Sequence, residues 1–364
     1  MADTTQKTDF YVARTDLEKC SVAEAAVPDM LEEGQALLKV ERFAFTANNI
    51  TYAAFGEAMR YWEFFPAPEG QGQIPVWGFA EVVTSRAEGA APGERVYGYL
   101  PMSTHLVVEP VKADAAGFFD GAAHRRELPV IYNHYVRCAT DPGYAAKTEE
   151  LQMLFRPLFM TSWLINDLLE DNDFFDGKAV ILSSASSKTA FGLAFLLKAG
   201  TGARVIGLTS GGNVEFVEGL GCYDQVLAYD DITTLDASEP AVFVDFAGSG
   251  PLRSALHHFF AENLKYSCSV GASHWDQPRG GEALPGAKPT LFFAPSQAQK
   301  RAKEWGTAGL MARFAADWAA FLGPVSSWIS VIEGRGPTAV EAVYLATLAG
   351  KVPPHEGHIL SLWD

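Results

Sequence analysis

The chain has 364 residues, more than one ordinary core requires, so two domains are expected. Hydrophobic residues make up 48% and charged residues 20%, which excludes a disordered chain. A formal charge of -16, from 28 Lys and Arg against 44 Asp and Glu, disfavours nucleic acid and anionic membrane as partners and leaves room for a local basic pocket that takes a small anion.

The opening stretch "MADTTQKTDFYVART" is polar and lacks the apolar segment of a secretion signal. No run of eighteen apolar residues occurs, so no membrane-spanning helix is expected. Cys20, Cys138, Cys222 and Cys268 are widely spaced without a C-x-x-C pair, which reads as reduced thiols in a cytoplasmic protein. Strand signals then dominate. "GQALLKVERFAFT" (Gly34 to Thr46), "GFAEVVTSRA" (Gly78 to Ala87) and "GERVYGYLPMSTHLVVEP" (Gly93 to Pro110) are short β segments divided by glycine and proline turns. An irregular polar and aromatic stretch follows, from Asp114 to Tyr144.

From about Leu151 the pattern changes. "LQMLFRPLFMTSWLINDLLEDN" has helical spacing. "KAVILSS", "ARVIGLTS", "DQVLAYD", "AVFVDFAGSG", "KYSCSVGASHW" and "KPTLFFAP" then read as strands, nearly continuous in apolar residues and divided for the most part by helices. That pattern predicts a parallel sheet covered on both faces, a doubly wound α/β fold. Ser296 to Gly323 predicts a long helical region, and the tail returns to β-α-β with "SSWISVIEGR", "GPTAVEAVYLATLAGK" and "GHILSLW".

One turn decides the functional reading. "KAVILSSASSKTAFGLAFLLKAG" is strand, turn and helix, and a turn at a helix N-terminus is where phosphates are held. This turn has no glycine. Ser186, Ser187 and Thr189 supply hydroxyls and Lys188 a cation, so a phosphate cradle is expected; the plainer alternative is that Ser186 and Ser187 only cap the helix. A Walker A loop fails on spacing, because Leu182 and Ser187 stand where its glycines are required. The second strand ends "GLTSGGN" without the acid that binds ribose hydroxyls in NAD sites. Thr209, Ser210 and the amides of Gly211 and Gly212 suit a 2′-phosphate instead, so NADP(H) is expected; a simple surface turn is the alternative.

The order of elements resembles the medium-chain dehydrogenase/reductase superfamily, its zinc-free quinone-reductase-like branch, and within it a divergent bacterial subfamily of unknown function. Asn48 and Tyr52 fit the family's N-x-x-D-Y segment, with Thr51 replacing the acid. "APGERVYGY" resembles its G-D-R-V-x-G turn, with Glu94 for Asp. "NVEFVEGLGCYDQVLAYDD" resembles its K-x-E-F helix and the strand after it, with Asn213 for the lysine, and "VFVDFAGSG" resembles V-x-D-x-x-G. "GPTAVEAVYLATLAGKVPPHEGHIL" resembles the closing helix and strand. The resemblance implies a GroES-like β-rich domain over residues 1–150, completed by 324–364, and a Rossmann domain over 151–323. It implies an active-site cleft between them and a homodimer paired through "KPTLFFAP".

By matching position the resemblance adds Thr161, Phe246, Ala247, Gly271, Ala272 and Phe293 to the cofactor contacts. It places Tyr52 at the family's active-site tyrosine. Tyr135 is the second candidate to steady a developing oxygen charge, and Asn48, Asn133, Arg137 and His274 are candidates for the substrate side, Arg137 for a carboxylate. The segment "YNHYVR" reads equally as a substrate wall or as a hydrogen-bonded core network, and the aromatic cluster "RYWEFFP" as cleft lining or as packing. The segments that hold zinc in metal-dependent relatives contain no Cys or His here, so no metal is expected. No G-x-S-x-G elbow occurs. The reading is a zinc-independent NADPH-dependent reductase of enone or quinone-like small molecules. A non-catalytic nucleotide-binding or interaction protein on the same scaffold is the alternative, and a phosphotransferase stands further off.

Overall fold

Alternating apolar and polar residues build antiparallel strands in the first part of the chain, and continuous apolar runs build parallel strands in the second. The computed structural model describes residues 6–200, 202–270 and 284–364. It divides into two units, Met1–Leu154 with Ile329–Asp364, and Phe155–Trp328.

The chain begins with β1 (Gln6–Ala13), β2 (Asp16–Ala26), β3 (Ala36–Phe45) and α1 (Ala47–Ala54). There follow β4 (Gln71–Gly72), β5 (Pro75–Ser85), β6 (Arg95–Pro101), β7 (His105–Val108), β8 (Pro110–Val111), β9 (Gly117–Asp120) and β10 (His134–Arg137). Helix α2 (Glu149–Asp171) leads into the second unit. There β11 (Ala179–Leu182), α3 (Lys188–Gly200), β12 (Arg204–Thr209), α4 (Val214–Gly219), β13 (Gln225–Ala228), β14 (Ala241–Asp245), α5 (Gly250–Phe260), β15 (Leu264–Ser269), β16 (Pro289–Leu291) and α6 (Ala294–Trp328) alternate. The chain closes with β17 (Ser330–Arg335), α7 (Gly336–Leu348) and β18 (Glu356–Ser361).

In the first unit the described strands form a small sheet in the order β2-β1-β4 and a larger one in the order β17-β18-β3-β5-β6-β10-β9-β8, with β7 also paired to β3. Strand β18 lies between β17, to which it is parallel, and β3, to which it is antiparallel. Leu38, Val40, Phe43, Phe45, Val76, Val96, Tyr344 and Leu360 belong to the core between these strands and α7.

In the second unit the sheet runs β13-β12-β11-β14-β15-β16, parallel throughout. This is the doubly wound dinucleotide-binding order, whose reversal between β11 and β14 is the topological switch point. Each of Val180, Ile181, Val242, Phe243 and Val244 is fully buried, as strands covered on both faces require. The long helix expected from Ser296 is α6, which starts earlier, runs through Pro324, and breaks at Gly306 (φ 72°, ψ 156°). Its extension to Trp328 shortens the expected strand "SSWISVIEGR" to Ser330–Arg335.

Candidate functional site

The glycine-free turn after β11 turns because Ser184 adopts the left-handed conformation (φ 50°), which a glycine would enter with least strain. Surrounding bonds hold it there. The Ser184 amide donates to the Tyr229 hydroxyl (3.1 Å). The Ala185 amide donates to the Leu208 carbonyl (3.0 Å) and the Ser187 amide to the Ser184 carbonyl (2.7 Å). The Tyr223 hydroxyl donates to the Ala185 carbonyl (2.9 Å). Close packing comes from the neighbouring elements instead. A Cβ on Gly207 of β12 would lie 2.9 Å from the Ala185 Cβ, and one on Gly192 of α3 would lie 3.0 Å from Ser162 Oγ. The Ser162 hydroxyl donates to the Thr189 carbonyl (2.7 Å), so α2 holds the first turn of α3.

Helix α3 starts at Lys188, and the Phe191 amide bonds the Ser187 carbonyl (3.0 Å). The Ser187 hydroxyl accepts from the Ala190 amide (3.3 Å), a capping role. The amides ahead of these are the donors that a helix N-terminus leaves to a cap or a ligand. Lys188 is half-buried, its ammonium 6.0 Å from the centre of the Phe155 ring. No acidic residue stands in the first turn of α3.

Thr209, expected at the 2′ end of a dinucleotide, meets Ser186 of the phosphate turn here. Ser186 Oγ accepts from Asn213 Nδ2 (3.2 Å) and from the Thr209 hydroxyl (3.4 Å). Asn213 thus reaches the turn as an uncharged donor. Ser210 is exposed beside them. An added Cβ on Gly211 or Gly212 would meet nothing within 4 Å, so both present open backbone.

The network at the switch point was not among the expectations from residue type or spacing. The buried Ser183 hydroxyl, at the end of β11, donates to Asp245 Oδ1 (2.8 Å). Ser183 Oγ also accepts from the amides of Phe246 (2.9 Å) and Ala247 (3.0 Å), and Asp245 Oδ1 accepts from the Gly248 amide (3.0 Å). The backbone after β14 is therefore fixed by a serine one residue before the left-handed turn. Phe246 is half-buried and Ala247 exposed, at the strand end where the expectation placed them. Thr161 is half-buried, and its hydroxyl donates to the Pro157 carbonyl of its own helix (3.3 Å). Phe293 is 57% exposed. Gly271, Ala272 and His274 lie outside the described residues.

The first unit holds a separate cluster around Tyr52. Asn49, and not Asn48, fixes the helix that carries it: Asn49 Oδ1 accepts from the Thr46 amide (2.8 Å), and Asn49 Nδ2 donates to the Pro75 carbonyl (2.9 Å). The Tyr52 hydroxyl lies beside Asn48 and accepts from Trp77 Nε1 (3.5 Å). Burial, more than the neighbouring Tyr61, pushes the Tyr52 phenol up to about 12, so it stays protonated and able to donate at neutral pH. Tyr61, Tyr99 and Tyr132 pack around it, with ring centroids 4.7, 5.5 and 6.4 Å away.

Other expectations for this unit need correction. Tyr135 is fully buried; its hydroxyl donates to the Tyr99 carbonyl (2.9 Å) and accepts from Arg125 (3.1 Å). Asn133 is buried against Arg125, accepting at 3.0 Å from its Nε and donating to its carbonyl at 3.1 Å. Arg137 bonds Glu94 (3.2 Å) and the carbonyls of Gly117, Asp114 and Gly89. Of the two readings of "YNHYVR", the hydrogen-bonded core network describes these three residues. Cys138, Cys222 and Cys268 are buried, and burial pushes each thiol up to about 12, which is unsuited to a nucleophile. Among the described residues no three His, Cys, Asp or Glu side chains are grouped to hold a metal ion, and no helix is long and apolar enough to cross a membrane.

A family model described as "Protein of unknown function (DUF2855)" matches residues 43–353. The chain belongs to this family. No curated protein matches it. Solved structures do. CurA of Vibrio vulnificus, solved in complex with NADPH, is 12% identical, with 98% of this chain and 99% of that one covered at a TM-score of 0.66. The yhdH oxidoreductase of Salmonella enterica, in complex with NADP, is 14% identical, with 97% and 99% covered and a TM-score of 0.55. A mutant form of an enoyl thioester reductase from Candida tropicalis is 10% identical, with 98% and 99% covered and a TM-score of 0.60. At these identities the likeness is one of fold. This chain thus shares the fold of these solved structures along nearly its whole length.

Proposed function

We propose that this DUF2855 protein is an NADPH-dependent oxidoreductase that reduces an enone or quinone-like small molecule without a metal. The observation that carries the reading is the Ser184 turn, which places the N-terminus of α3 at the switch point of a sheet in dinucleotide-binding order. The residues present fit the cofactor. Ser186, Ser187, Lys188 and Thr189 would hold the pyrophosphate, and Thr209, Ser210, Asn213 and the open amides of Gly211 and Gly212 would hold a 2′-phosphate. "GLTSGGN" carries no acid to repel that phosphate. CurA and the yhdH oxidoreductase, solved with NADPH and NADP, support the choice.

When bound, the nicotinamide supplies a hydride. The chain's part is to orient and to donate. Ser183 and Asp245 fix the backbone from Phe246 to Gly248. The protonated Tyr52 hydroxyl donates to the oxygen on which charge develops. The protein acts in the cytoplasm as a homodimer paired through the edge strand β16, since an open parallel edge needs cover.

The test is calorimetric titration with NADPH, NADH and ATP, on the wild type and on Lys188→Ala. NADPH is expected to bind best, and Lys188→Ala to weaken it by about tenfold, the effect of one charge-assisted contact. Failure of both dinucleotides to bind would reduce the turn to the helix cap that Ser187 already provides, and a non-catalytic scaffold would become the better reading.

A further inference from the structure

A pocket of about 310 Å³ lies at the end of β18 and shares no lining residue with the Tyr52 cluster or with the turn before α3. Its walls come from β17, β18 and β3, neighbouring strands of the first unit. On this edge β3 is covered by β7 from Ala36 to Lys39 and by β18 from Phe43 to Phe45. Trp363 stands in the gap between them. Its Nε1 donates to the Val40 carbonyl (2.7 Å), and its ring meets that of His105 edge-on at 5.3 Å between centroids. The wall it forms is therefore fixed.

Three cations and two acids line the pocket. The acids and one cation are already committed. Glu41 accepts from Arg95 (2.5 Å). Arg42 pairs with Glu149 and Glu150, each at 2.7 Å, and faces Glu333 at 3.6 Å. Lys39 and Arg335 remain, and among the described residues no carboxylate pairs with either. The Lys39 ammonium lies 4.8 Å from the centre of the Trp363 ring, which orients it without cancelling its charge. Arg335 is exposed. Asp364 lies beside the next residue, its carboxylate 2.6 Å from where a Cβ on Gly336 would stand, and still forms no pair with Arg335. Ser361, opposite Arg335 in the strand register, is 6% exposed. Its oxygen accepts from the Trp363 amide (3.1 Å), and its proton has no acceptor among the described residues. Buried donors are rarely left so.

An ammonium, a guanidinium and a hydroxyl thus line one cavity as donors, in a chain of formal charge -16. Their complement is an anion. A tetrahedral dianion accepts from several directions at once, which suits donors that arrive from three strands, whereas a flat carboxylate is met by one guanidinium fork. The cavity is about ten times the roughly 30 Å³ that one water occupies in the liquid, so it has room for more than the anion itself.

We propose that this pocket binds a phosphate dianion, free or as the monoester of a small molecule, between Lys39, Arg335 and Ser361. It is a second anion site, in the other unit from the turn before α3, and does not rest on the NADPH reading.

The full-length protein is titrated by calorimetry at neutral pH and equal ionic strength, without dinucleotide, with inorganic phosphate, glycerol 3-phosphate and malonate, a dianion of two flat carboxylates. The better of the two phosphates is expected to bind at least about tenfold more tightly than malonate, the difference that one charge-assisted hydrogen bond makes. The ester binding more tightly than inorganic phosphate identifies a monoester as the ligand, and the reverse order identifies free phosphate. Arg335→Ala and Lys39→Met are each expected to weaken that binding by about tenfold, and Lys188→Ala to leave it unchanged. Arg335 is exposed and methionine keeps the apolar stem of Lys39 on Trp363, so both variants are expected to fold. Malonate binding as tightly as phosphate, or an affinity unchanged in either Arg335→Ala or Lys39→Met, overturns the proposal. A loss confined to Lys188→Ala assigns the anion to the turn before α3 and overturns it as well.

Discussion

Ser184 shows at the scale of one residue how a glycine-free turn can still follow a dinucleotide-binding path. Its left-handed backbone costs roughly 1–2 kcal/mol in a residue with a Cβ. Ser184→Gly should therefore be neutral or raise stability by up to about 1 kcal/mol, the relief being partly offset by the entropy of an added glycine. Ser184→Val should lower it by about 2 kcal/mol, because a β-branched residue is worse still at positive φ. Urea unfolding of the two variants measures both. Tyr52→Phe tests another single group. It should lower turnover of a ketone or quinone acceptor by about 10²-fold, the effect of one oxyanion donor, with little change in dinucleotide affinity. The turn, its hydroxyls and Lys188 could be picked from residue type and local order, and Tyr52 from the family resemblance of its segment. The left-handed Ser184 and the bonds from Ser183 to Asp245 could not. They depend on a backbone angle and on a neighbour 62 residues away.

At the scale of elements, α2 is tied to the first unit's sheet by charge. Glu149, at its start, takes Arg42 (2.7 Å) and Arg95 (2.6 Å), and the Tyr144 hydroxyl donates to it (2.6 Å). Burial opposes its ionisation, but these partners prevail and hold the carboxyl at about 2. A carboxyl depressed from an ordinary value near about 4.3 stabilises the fold above that pH and loses the effect as pH falls toward its folded value. Glu149→Gln should cost about 2 kcal/mol at pH 7 after solvent screening. The difference from the wild type should shrink between about pH 4 and pH 2. Denaturant midpoints across that range decide it. Periodicity located α2 and α6 but not their ends. Helix α6 runs through Pro324 and is broken at Gly306, and neither choice is set by the 3.6-residue pattern. The partners of Arg137 could not be named for a related reason, since the three carbonyls it bonds come from two other segments of the chain.

At the scale of the whole chain, the parallel sheet could be read from runs such as "AVFVDF", because only strands covered on both faces are so continuously apolar. The strand order of the first unit could not, since short antiparallel strands leave many pairings open. A dimer through β16 should give twice the 39.4 kDa chain mass by light scattering, and a single-chain mass at micromolar concentration would remove it from the reading. The position of β18, between β17 and β3, has a consequence for biosynthesis. A ribosome releases all of Phe155–Trp328 before it has made the strand that flanks β3. The second unit can close while the chain is still growing. The first must wait with Phe43 to Phe45 of β3 unpaired on the side away from β5, beyond the stretch that β7 already covers, and that short edge stays exposed for as long as translation of the remainder takes, an interval in which a chaperone would be needed most.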